Sequence, residues 1–331
     1  MDSFKRFHED LFSIRPDAFE AHALDLFRYQ ATHNPIYAQY VSLLGVDIAT
    51  VTQLCHIPFL PIDFFKSHKV TTHEWEPATV FESSGTTGQI RSRHYVKDVD
   101  FYLRVTEHIF NSFYGKLEDF HVMALLPSYL ERENSSLVAM ADYFIRKSQS
   151  PFSGFYLYDH NGLVEQLKHA INKGGRVILL GVSFALLDLA ERFNVDLADV
   201  IVMETGGMKG RREELTRGEL HTILKRRFNV VAIHSEYGMT ELLSQAYSKA
   251  DGHFETPPWM KILIRDINDP FEIYGEGAKN SGGVNIIDLA NVQSCAFIET
   301  QDIGRRLNGD SFEILGRFDN ADVRGCNLMA I

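Results

Sequence analysis

From residue 79 onward, short apolar runs alternate with amphipathic stretches, and this alternation limits the possible fold more than any other feature of the sequence. The apolar runs have the length of strands and lie at 80–81, 122–126, 155–158, 177–180, 200–203 and 230–233. The intervening stretches have apolar residues at helical spacing and lie at 101–113, 135–147, 163–172, 184–193 and 213–228. This pattern predicts an α/β fold with a doubly wound, mostly parallel sheet that binds ligands at the carboxyl ends of its strands.

The regions on either side of this α/β core, which we place at 57–245, have different patterns. Residues 1–56 carry apolar residues at helical spacing and predict a helical N-terminal cap. Pro58 and Pro61 then forbid a continuing helix, and an extended or turn segment is predicted at Phe64, Phe65 and Lys66, which follow. Beyond the core, residues 246–331 predict a smaller β-rich subdomain closing over the same edge, with strands at 262–267, 284–287, 296–298 and 312–315.

Composition and charge exclude several classes of function. The chain has 331 residues, 45% of them hydrophobic, which is enough for one large domain or two of ordinary size. Its net charge of -11 argues against a nucleic-acid groove, which needs an excess of Lys and Arg. No apolar run approaches the roughly 20 residues that span a bilayer. Three widely spaced cysteines and the lack of a basic-then-apolar leader predict a cytoplasmic location. The histidines and cysteines show none of the spacings typical of metal ligands, so a dedicated zinc site is not expected.

A loop rich in glycine and hydroxyl groups follows the predicted strand at 80–81. Its central residues are Ser84, Gly85, Thr86, Thr87 and Gly88. The two glycines permit positive φ, so that successive backbone N–H groups can converge on one anion, and the hydroxyls add further donors. The loop has neither the Walker A pattern nor the dinucleotide-binding glycine pattern. It predicts a phosphate-binding loop, with a polar hairpin turn as the alternative.

Four more polar clusters occur at or beyond the ends of predicted strands. A glycine pair, Gly206 and Gly207, would let a flat ring lie against the backbone, although a plain strand-to-helix turn fits it as well. The segment 234–241 ends with a hydroxyl and a carboxylate that suit a Mg-nucleotide. Further along the chain stand an acid that can accept from both ribose hydroxyls, Asp302, and a cation that can pair with phosphate, Arg317.

In this order and with these gaps, the clusters resemble the adenylate-forming superfamily of acyl and aryl ligases. The motifs that carry the resemblance are Ser-Ser-Gly-Thr-Thr-Gly at 83–88, Tyr-Gly-Met-Thr-Glu at 237–241, the block around Asp302, and Gly-Arg-x-Asp at 316–319. Segments at 57–66, 205–209 and 324–328 are further similar to the acyl-protein synthetases of the LuxE type, which are long-chain-fatty-acid protein ligases. The resemblance covers most of the chain.

The resemblance implies an ATP site that works with Mg²⁺. It assigns the β and γ phosphates to the loop residues Ser84, Gly85, Thr86, Thr87 and Gly88. It assigns the adenine pocket to Gly206, Gly207, Tyr237 and Gly238. It also implies that Thr240 contacts the α phosphate and that Glu241 holds the metal. Asp302 would bind the ribose, and Arg317 would reach the ribose or a phosphate.

Two departures from the superfamily pattern bear on the mechanism. Adenylating enzymes usually carry a lysine shortly after the phosphate loop, whereas this chain offers only Arg91 and Arg93, neither of which we assign to that role. The chain also ends at Ile331, shortly after Asp319, where the larger ligases continue into a mobile C-terminal domain. The resemblance therefore implies activation by the large domain alone or with a partner protein that closes the site.

The missing terminal domain directs attention to Cys326. LuxE-type synthetases carry the acyl group on a cysteine near the C-terminus, and a tethered thiol reaches a high effective concentration. The resemblance thus implies that a carboxylic acid, with a fatty acid as the expected kind, is converted to an acyl adenylate. A thiolate would then accept the acyl group and pass it to a reductase, an acyl carrier protein or another acceptor. A packing role for Cys326 is the alternative, and Cys55 and Cys295 are predicted to be buried filler residues.

Three other functions remain open from the sequence. The chain would act as a carboxylate-CoA ligase of the phenylacetate type without its own terminal domain, or as a non-catalytic nucleotide-binding protein. A serine hydrolase would use Ser183, which follows a strand in a near match to the nucleophile elbow, although a helix N-cap is the expected role of this residue. The basic stretch 209–227 is predicted to be a solvated helix face, with docking of an acidic carrier domain as the alternative.

Overall fold

A computed structural model describes residues 3–84, 90–127, 134–206, 215–275, 277–278 and 280–318, with side chains from residue 7 onward. The helices are α1 (Ser3–Asp10), α2 (Phe19–His33), α3 (Pro35–Leu43), α4 (Phe64–Ser67), α5 (Val99–Tyr114), α6 (Ser136–Ser148), α7 (His160–Lys173), α8 (Ser183–Arg192) and α9 (Arg217–Phe228). The first six strands are β1 (Leu60–Pro61), β2 (Thr79–Glu82), β3 (Arg93–Val96), β4 (Phe120–Leu125), β5 (Gly154–Phe155) and β6 (Arg176–Val182). The later strands are β7 (Val200–Thr205), β8 (His234–Tyr237), β9 (Ala246–Ser248), β10 (Phe254–Glu255), β11 (Met260–Arg265), β12 (Gly282–Asp288), β13 (Phe297–Arg306) and β14 (Phe312–Arg317).

Twelve of the described strands form one sheet. The strands run in the order β11-β12-β13-β14-β10-β9-β8-β7-β6-β4-β5, and β1 adds to β13. Pairing is parallel from β5 through β4, β6 and β7 to β8, and antiparallel from β8 to β11. Strands β2 and β3 form a separate antiparallel hairpin. The predicted α/β fold with a doubly wound sheet is confirmed. The strands after residue 245 continue this sheet, and the domain boundaries stay predictions.

Helix ends and strand burial follow from local chemistry. The side chain of Asp98 caps α5 by accepting from the backbone N–H of Phe101, and Gly115 ends the helix at a φ of 93°. Strand β6 is buried along its whole length after its first residue, as expected of a parallel strand covered by helices on both faces. It pairs with β4 on one side and with β7 on the other, and β7 in turn pairs with β8.

Several local predictions are corrected by the structure. The apolar run 230–233 is not a strand, because Asn229 ends α9 in a left-handed conformation, and the strand β8 begins only at His234. The run 80–81 belongs to the hairpin and not to the parallel sheet. Of 155–158 only Phe155 is in a strand, and the segment around Phe64 is the short helix α4. These segments are short and apolar, so neighbouring packing decides their conformation.

Two of the three cysteines lie in the described part of the chain. Cys295 is fully buried, and burial raises the pKa of its thiol to about 12. Cys55 is half-buried, so its prediction as a buried filler is wrong. Cys326 lies outside the described residues. Within the described residues, no helix combines the length and the apolar character needed to cross a membrane.

Candidate active site

The parallel strands β7 and β8 end side by side, and several residues that are predicted to bind the nucleotide lie at this edge. Thr205 and Glu236 are register partners at the carboxyl ends of the two strands. The residue that follows β7, Gly206, is exposed and has a φ of 67°, a conformation that glycine adopts without strain. Beyond β8, Gly238 is likewise exposed beside the buried Tyr237. The edge therefore offers open backbone with buried side chains immediately behind it.

Three predicted residues are joined by direct hydrogen bonds at this edge. The Tyr237 hydroxyl donates to Oδ2 of Asp302 at 2.7 Å, and Nε of Arg317 donates to Oδ1 of the same carboxylate at 2.7 Å. The carboxylate of Asp302 raises the pKa of Arg317, and burial together with this carboxylate raises the pKa of Tyr237. The side chain of Asp302 is buried, whereas 67% of the Arg317 side chain is exposed. Each carboxylate oxygen can accept a further hydrogen bond from a ligand.

The β2–β3 hairpin, which leads into the loop predicted to bind phosphate, lies against Glu241. Ser83 and Ser92 face each other at the base of this loop, where the Ser83 N–H donates to the Ser92 carbonyl at 3.1 Å and the Ser92 N–H to the Ser83 hydroxyl at 3.0 Å. The Ser92 hydroxyl hydrogen-bonds the carboxyl of Glu241. Glu241 is 4% exposed, and burial raises its pKa. The base of the loop and the predicted metal ligand are thus in contact.

His94 and Asn291 brace the same segment and were not anticipated from the sequence. Nδ1 of His94 lies 2.8 Å from the carbonyl oxygen of Thr240, and its Nε2 lies 3.1 Å from Oδ1 of Asn291. Nδ2 of Asn291 donates to the carbonyls of Glu241 at 2.7 Å and of Cys295 at 2.9 Å. His94, Asn291, Glu241 and Cys295 are buried, and burial lowers the pKa of His94 to about 4. In the sequence, the alternation at His94-Tyr95-Val96 is typical of a strand with one buried face, and this could have pointed to His94. No sequence pattern marked Asn291.

The predicted site residues fall into three groups. The first group lies at the strand edge or in the segment after β8, namely Gly206, Tyr237, Gly238, Thr240, Glu241, Asp302 and Arg317. Ser84 is exposed at the end of the hairpin. The third group lies outside the described residues: Gly85, Thr86, Thr87, Gly88, Gly207 and Cys326. Of the two arginines considered for the missing lysine, Arg91 makes an ion pair of 3.4 Å with Glu82 on its own hairpin.

No protein-family model matches the chain, and no curated protein matches it in sequence. Solved structures do match. A malonyl-CoA ligase complex with methylmalonyl-CoA and AMP has 16% identity and a TM-score of 0.50, covering 83% of this chain and 57% of its own. O-succinylbenzoate coenzyme A synthetase from Bacillus subtilis, in complex with ATP and magnesium ion, has 16% identity and a TM-score of 0.50, covering 78% and 54%. The chain has the fold of the N-terminal domain of adenylate-forming enzymes. It spans little more than half the length of these two structures.

A buried glutamate, Glu204, precedes Thr205 on β7, so its side chain leaves the sheet on the opposite face from that of Thr205. Oε1 of Glu204 accepts from Nε of Arg217 at 3.1 Å and lies 3.5 Å from Nε2 of His221, and its Oε2 accepts from the Ser183 hydroxyl at 3.3 Å. Burial alone would raise the pKa of Glu204, but the hydrogen bond of His221 and the charge of Arg217 lower it. This carboxyl is therefore ionised and serves as an acceptor.

The geometry around Glu204 gives Ser183 neither of its two predicted roles, which were a helix N-cap and a nucleophile. Val182 occupies the N-cap position and Ser183 is the first residue of α8, so the N-cap prediction is wrong. The Ser183 hydroxyl donates to the carbonyl of Gly206 at 2.7 Å as well as to Glu204. A hydrolytic triad needs the histidine between serine and acid, whereas here the acid lies between Ser183 and His221. This arrangement orders the end of β7 and does not activate the hydroxyl.

A second buried glutamate, Glu236, has a pKa that is shifted in the opposite direction from that of Glu204. Its Oε2 accepts from the Thr205 hydroxyl. Burial, with a smaller contribution from Glu204, raises the pKa of Glu236 to about 7. Two carboxyls on adjoining strands thus have pKa values that are shifted in opposite directions.

This shift predicts a pH-dependent stability that Glu236→Gln should remove. Between about pH 4.5 and pH 7 the folded state retains the Glu236 proton while the unfolded chain releases it, so folding loses stability as the pH rises through this window. We expect the free energy of unfolding of the native protein, relative to that of the variant, to fall by about 3 kcal/mol across the window. Urea unfolding at several pH values measures it. A constant difference between the two proteins would show that the Glu236 pKa is ordinary.

Proposed function

We propose that the protein activates a carboxylic acid with ATP, forms an acyl adenylate, and transfers the acyl group to a protein thiol as a thioester. The observation that carries the proposal is that the base of the Ser/Thr/Gly loop contacts Glu241 while Asp302 binds Tyr237 and Arg317 at the same sheet edge. Binding of a Mg-triphosphate requires a phosphate-binding loop on one side and a metal ligand on the other. Binding of the nucleoside requires a hydrogen-bond acceptor for the ribose hydroxyls. The N-terminal domain fold of adenylate-forming enzymes supports the same conclusion.

The residues at the site fit Mg²⁺ as the metal that accompanies ATP. Glu241 is a buried carboxylate with a serine hydroxyl as its neighbour, and among the described residues it forms no ion pair, although the charge of Arg317, which is paired with Asp302, acts on it. A buried carboxylate without a cation is costly, and oxygen ligands are those that Mg²⁺ prefers. Glu241 would hold the metal, which when bound neutralises charge on the phosphates.

The residues of this chain would divide the work of the first step between them. Ser84 and the loop up to Gly88 would hold the β and γ phosphates, and Thr240 would orient the α phosphate. The acid carboxylate would then attack the α phosphorus in line, while the bond to the β phosphate breaks and pyrophosphate leaves. Asp302 would accept from the ribose hydroxyls, with Arg317 held beside it by their 2.7 Å hydrogen bond. His94 and Asn291 keep the carbonyls of Thr240 and Glu241 in place. Charge neutralisation and positioning dominate such a step.

The second step would use Cys326 as the acceptor. Its thiolate attacks the carbonyl carbon of the acyl adenylate, the bond from that carbon to the AMP oxygen breaks, and AMP leaves as the thioester forms. The acyl group would then pass to a reductase, an acyl carrier protein or another acceptor. This step is the feature that defines the LuxE-type acyl-protein synthetases, and the similarity at 324–328 supports it.

Acid-dependent exchange of pyrophosphate into ATP tests the first step directly. The purified protein, with Mg²⁺, ATP and labelled pyrophosphate, should show exchange only when a suitable acid from a panel of fatty and aryl acids is present. Intact mass should then show an acyl adduct that hydroxylamine removes. Exchange without an adduct, together with acyl-CoA formation when coenzyme A is added, would favour a carboxylate-CoA ligase. Absence of exchange with every acid would favour a non-catalytic nucleotide-binding protein.

A further inference from the structure

Four polar side chains lie together on the sheet face that packs against α5, directly behind the candidate active site. Thr205, Glu236 and Tyr247 are register partners on β7, β8 and β9, so their side chains leave the sheet on the same face. A Cβ on Gly238 would lie 2.4 Å from Oε1 of Glu236 and 3.4 Å from Cγ of Gln245. The side chains of Glu236 and Gln245 therefore lie next to the space that the absence of a side chain at Gly238 leaves open. We call Thr205, Glu236, Gln245 and Tyr247 the polar row.

The polar row is buried but incompletely hydrogen-bonded. Its side chains are 3%, 8%, 4% and 1% exposed in chain order. The Thr205 hydroxyl donates to Glu236, and Nε2 of Gln245 donates to the carbonyl of Leu243 at 3.2 Å. Oε1 of Gln245 and the hydroxyl of Tyr247 have no partner among the residues that the structure describes. Because an unpaired buried polar atom costs about 1–3 kcal/mol, this concentration of such atoms in one place points to a ligand that completes them.

The polar row lies on the other side of β8 from the groups assigned to the ribose. Tyr237 follows Glu236 in the strand, so its side chain points to the opposite face, where it meets Asp302. Helix α5 and the β2–β3 hairpin lie on the face of the polar row. They are in contact through the rings of Phe81 and Tyr102, whose centroids are 5.2 Å apart. Between the two faces, the backbone of Gly238 is exposed. An acid whose carboxylate meets the α phosphate near Thr240 therefore has Gly238 beside it and the polar row beyond.

We propose that the polar row is the subsite for the far end of the acid and that this acid carries a hydrogen-bond donor, a hydroxyl or amino group, in place of a wholly apolar chain. The inference rests on the proposed function. The amide oxygen of Gln245 and the carboxyl of Glu236 are acceptors, and the Tyr247 hydroxyl both donates and accepts. An apolar chain against these groups would leave them unsatisfied, whereas one hydroxyl or amine would pair with several.

Pyrophosphate exchange with matched acids tests this subsite. The panel sets an unsubstituted fatty acid beside its ω-hydroxy and ω-amino counterparts of equal length, and benzoate beside 4-hydroxybenzoate and 4-aminobenzoate. We expect kcat/KM at least about tenfold higher for the best donor-bearing acid than for its unsubstituted counterpart, because a site built to hydrogen-bond a substrate rejects the analogue without the group. In Glu236→Gln, a preference for an amine should disappear, while a preference for a hydroxyl should persist.

Tyr247→Phe separates recognition from folding. The variant removes a buried hydroxyl that has no described partner, so the fold should keep its stability while the preference for the donor-bearing acid falls about tenfold and KM for ATP stays unchanged. Tyr102→Phe is the matched control, since its hydroxyl is already bonded to the Ser136 carbonyl at 2.9 Å, and it should leave the preference intact. Exchange that is indifferent to the substituent, or a preference unaltered in Tyr247→Phe, would overturn the subsite alone. Absence of exchange with every acid would overturn the proposed function and the subsite together.

Discussion

Replacing Glu241 by glutamine should lower the rate of acid-dependent pyrophosphate exchange on the order of 10³-fold. Glutamine has nearly the same shape and can keep the hydrogen bond to Ser92, but it carries no charge to hold Mg²⁺ against the phosphates. Because the native carboxylate is buried without an ion pair among the described residues, and Arg317 acts on it only through its charge while paired with Asp302, the thermal stability of the variant should be equal to or above that of the native protein. Exchange assays and thermal unfolding on the same samples measure both effects.

The matched control for Glu241→Gln is Glu255→Gln, the same chemical change at an exposed position on β10. It should leave the exchange rate unchanged. Raising the Mg²⁺ concentration should recover part of the activity of Glu241→Gln, because a weakened metal site is partly refilled by mass action. If Glu241→Gln exchanges pyrophosphate at the native rate, Glu241 does not hold the metal and the proposed arrangement of the site is wrong.

Replacing Cys326 by serine should abolish the hydroxylamine-sensitive acyl adduct while pyrophosphate exchange continues at the native rate. Adenylation does not require the thiol, whereas serine is a far weaker nucleophile than a thiolate near neutral pH. Intact-mass analysis after incubation with ATP, Mg²⁺ and the best acid of the panel measures the adduct. Exchange measured on the same preparation shows that the first step is intact.

Two other cysteines provide the controls for Cys326→Ser. Cys55→Ser changes a half-buried thiol and should retain the adduct. Cys295 is buried with its pKa raised to about 12, so its thiol stays protonated and cannot accept the acyl group. An adduct that persists in Cys326→Ser, or that peptide mapping places on another residue, would contradict the proposed second step.

The sequence predicted the α/β fold because strand and helix periodicity is a local property. The buried run 177–180 lies within β6, and the helix predicted at 101–113 is α5 with two residues more at its start and one at its end. The error at 230–233 shows the limit of the same reasoning. Val230 is buried but Val231 is 94% exposed, so this apolar run turns over the surface, and the polar residues from His234 form the strand.

The sequence indicates residues of the candidate site where chemically distinctive side chains are concentrated in a short motif, and their roles stay predictions. Tyr237, Thr240 and Glu241 share one segment, and Asp302 and Arg317 stand out as charges beside apolar strands. The braces of this segment were not predictable. His94 contacts a carbonyl 146 positions away and an amide 197 positions away, and no pattern within a window of the sequence records such a distance.

The sequence by itself determined the order of strands and helices and the chemical character of the loop at 84–88, since hydrophobic periodicity, glycine stereochemistry and side-chain type act over a few residues. Tertiary structure alone decided which polar groups meet. The parallel register of β7 with β8 pairs Thr205 with Glu236, and the docking of the hairpin brings Ser92 to Glu241. Register and docking depend on how distant surfaces pack, so burial, and with it the opposite pKa shifts of Glu204 and Glu236, arises only in the folded chain.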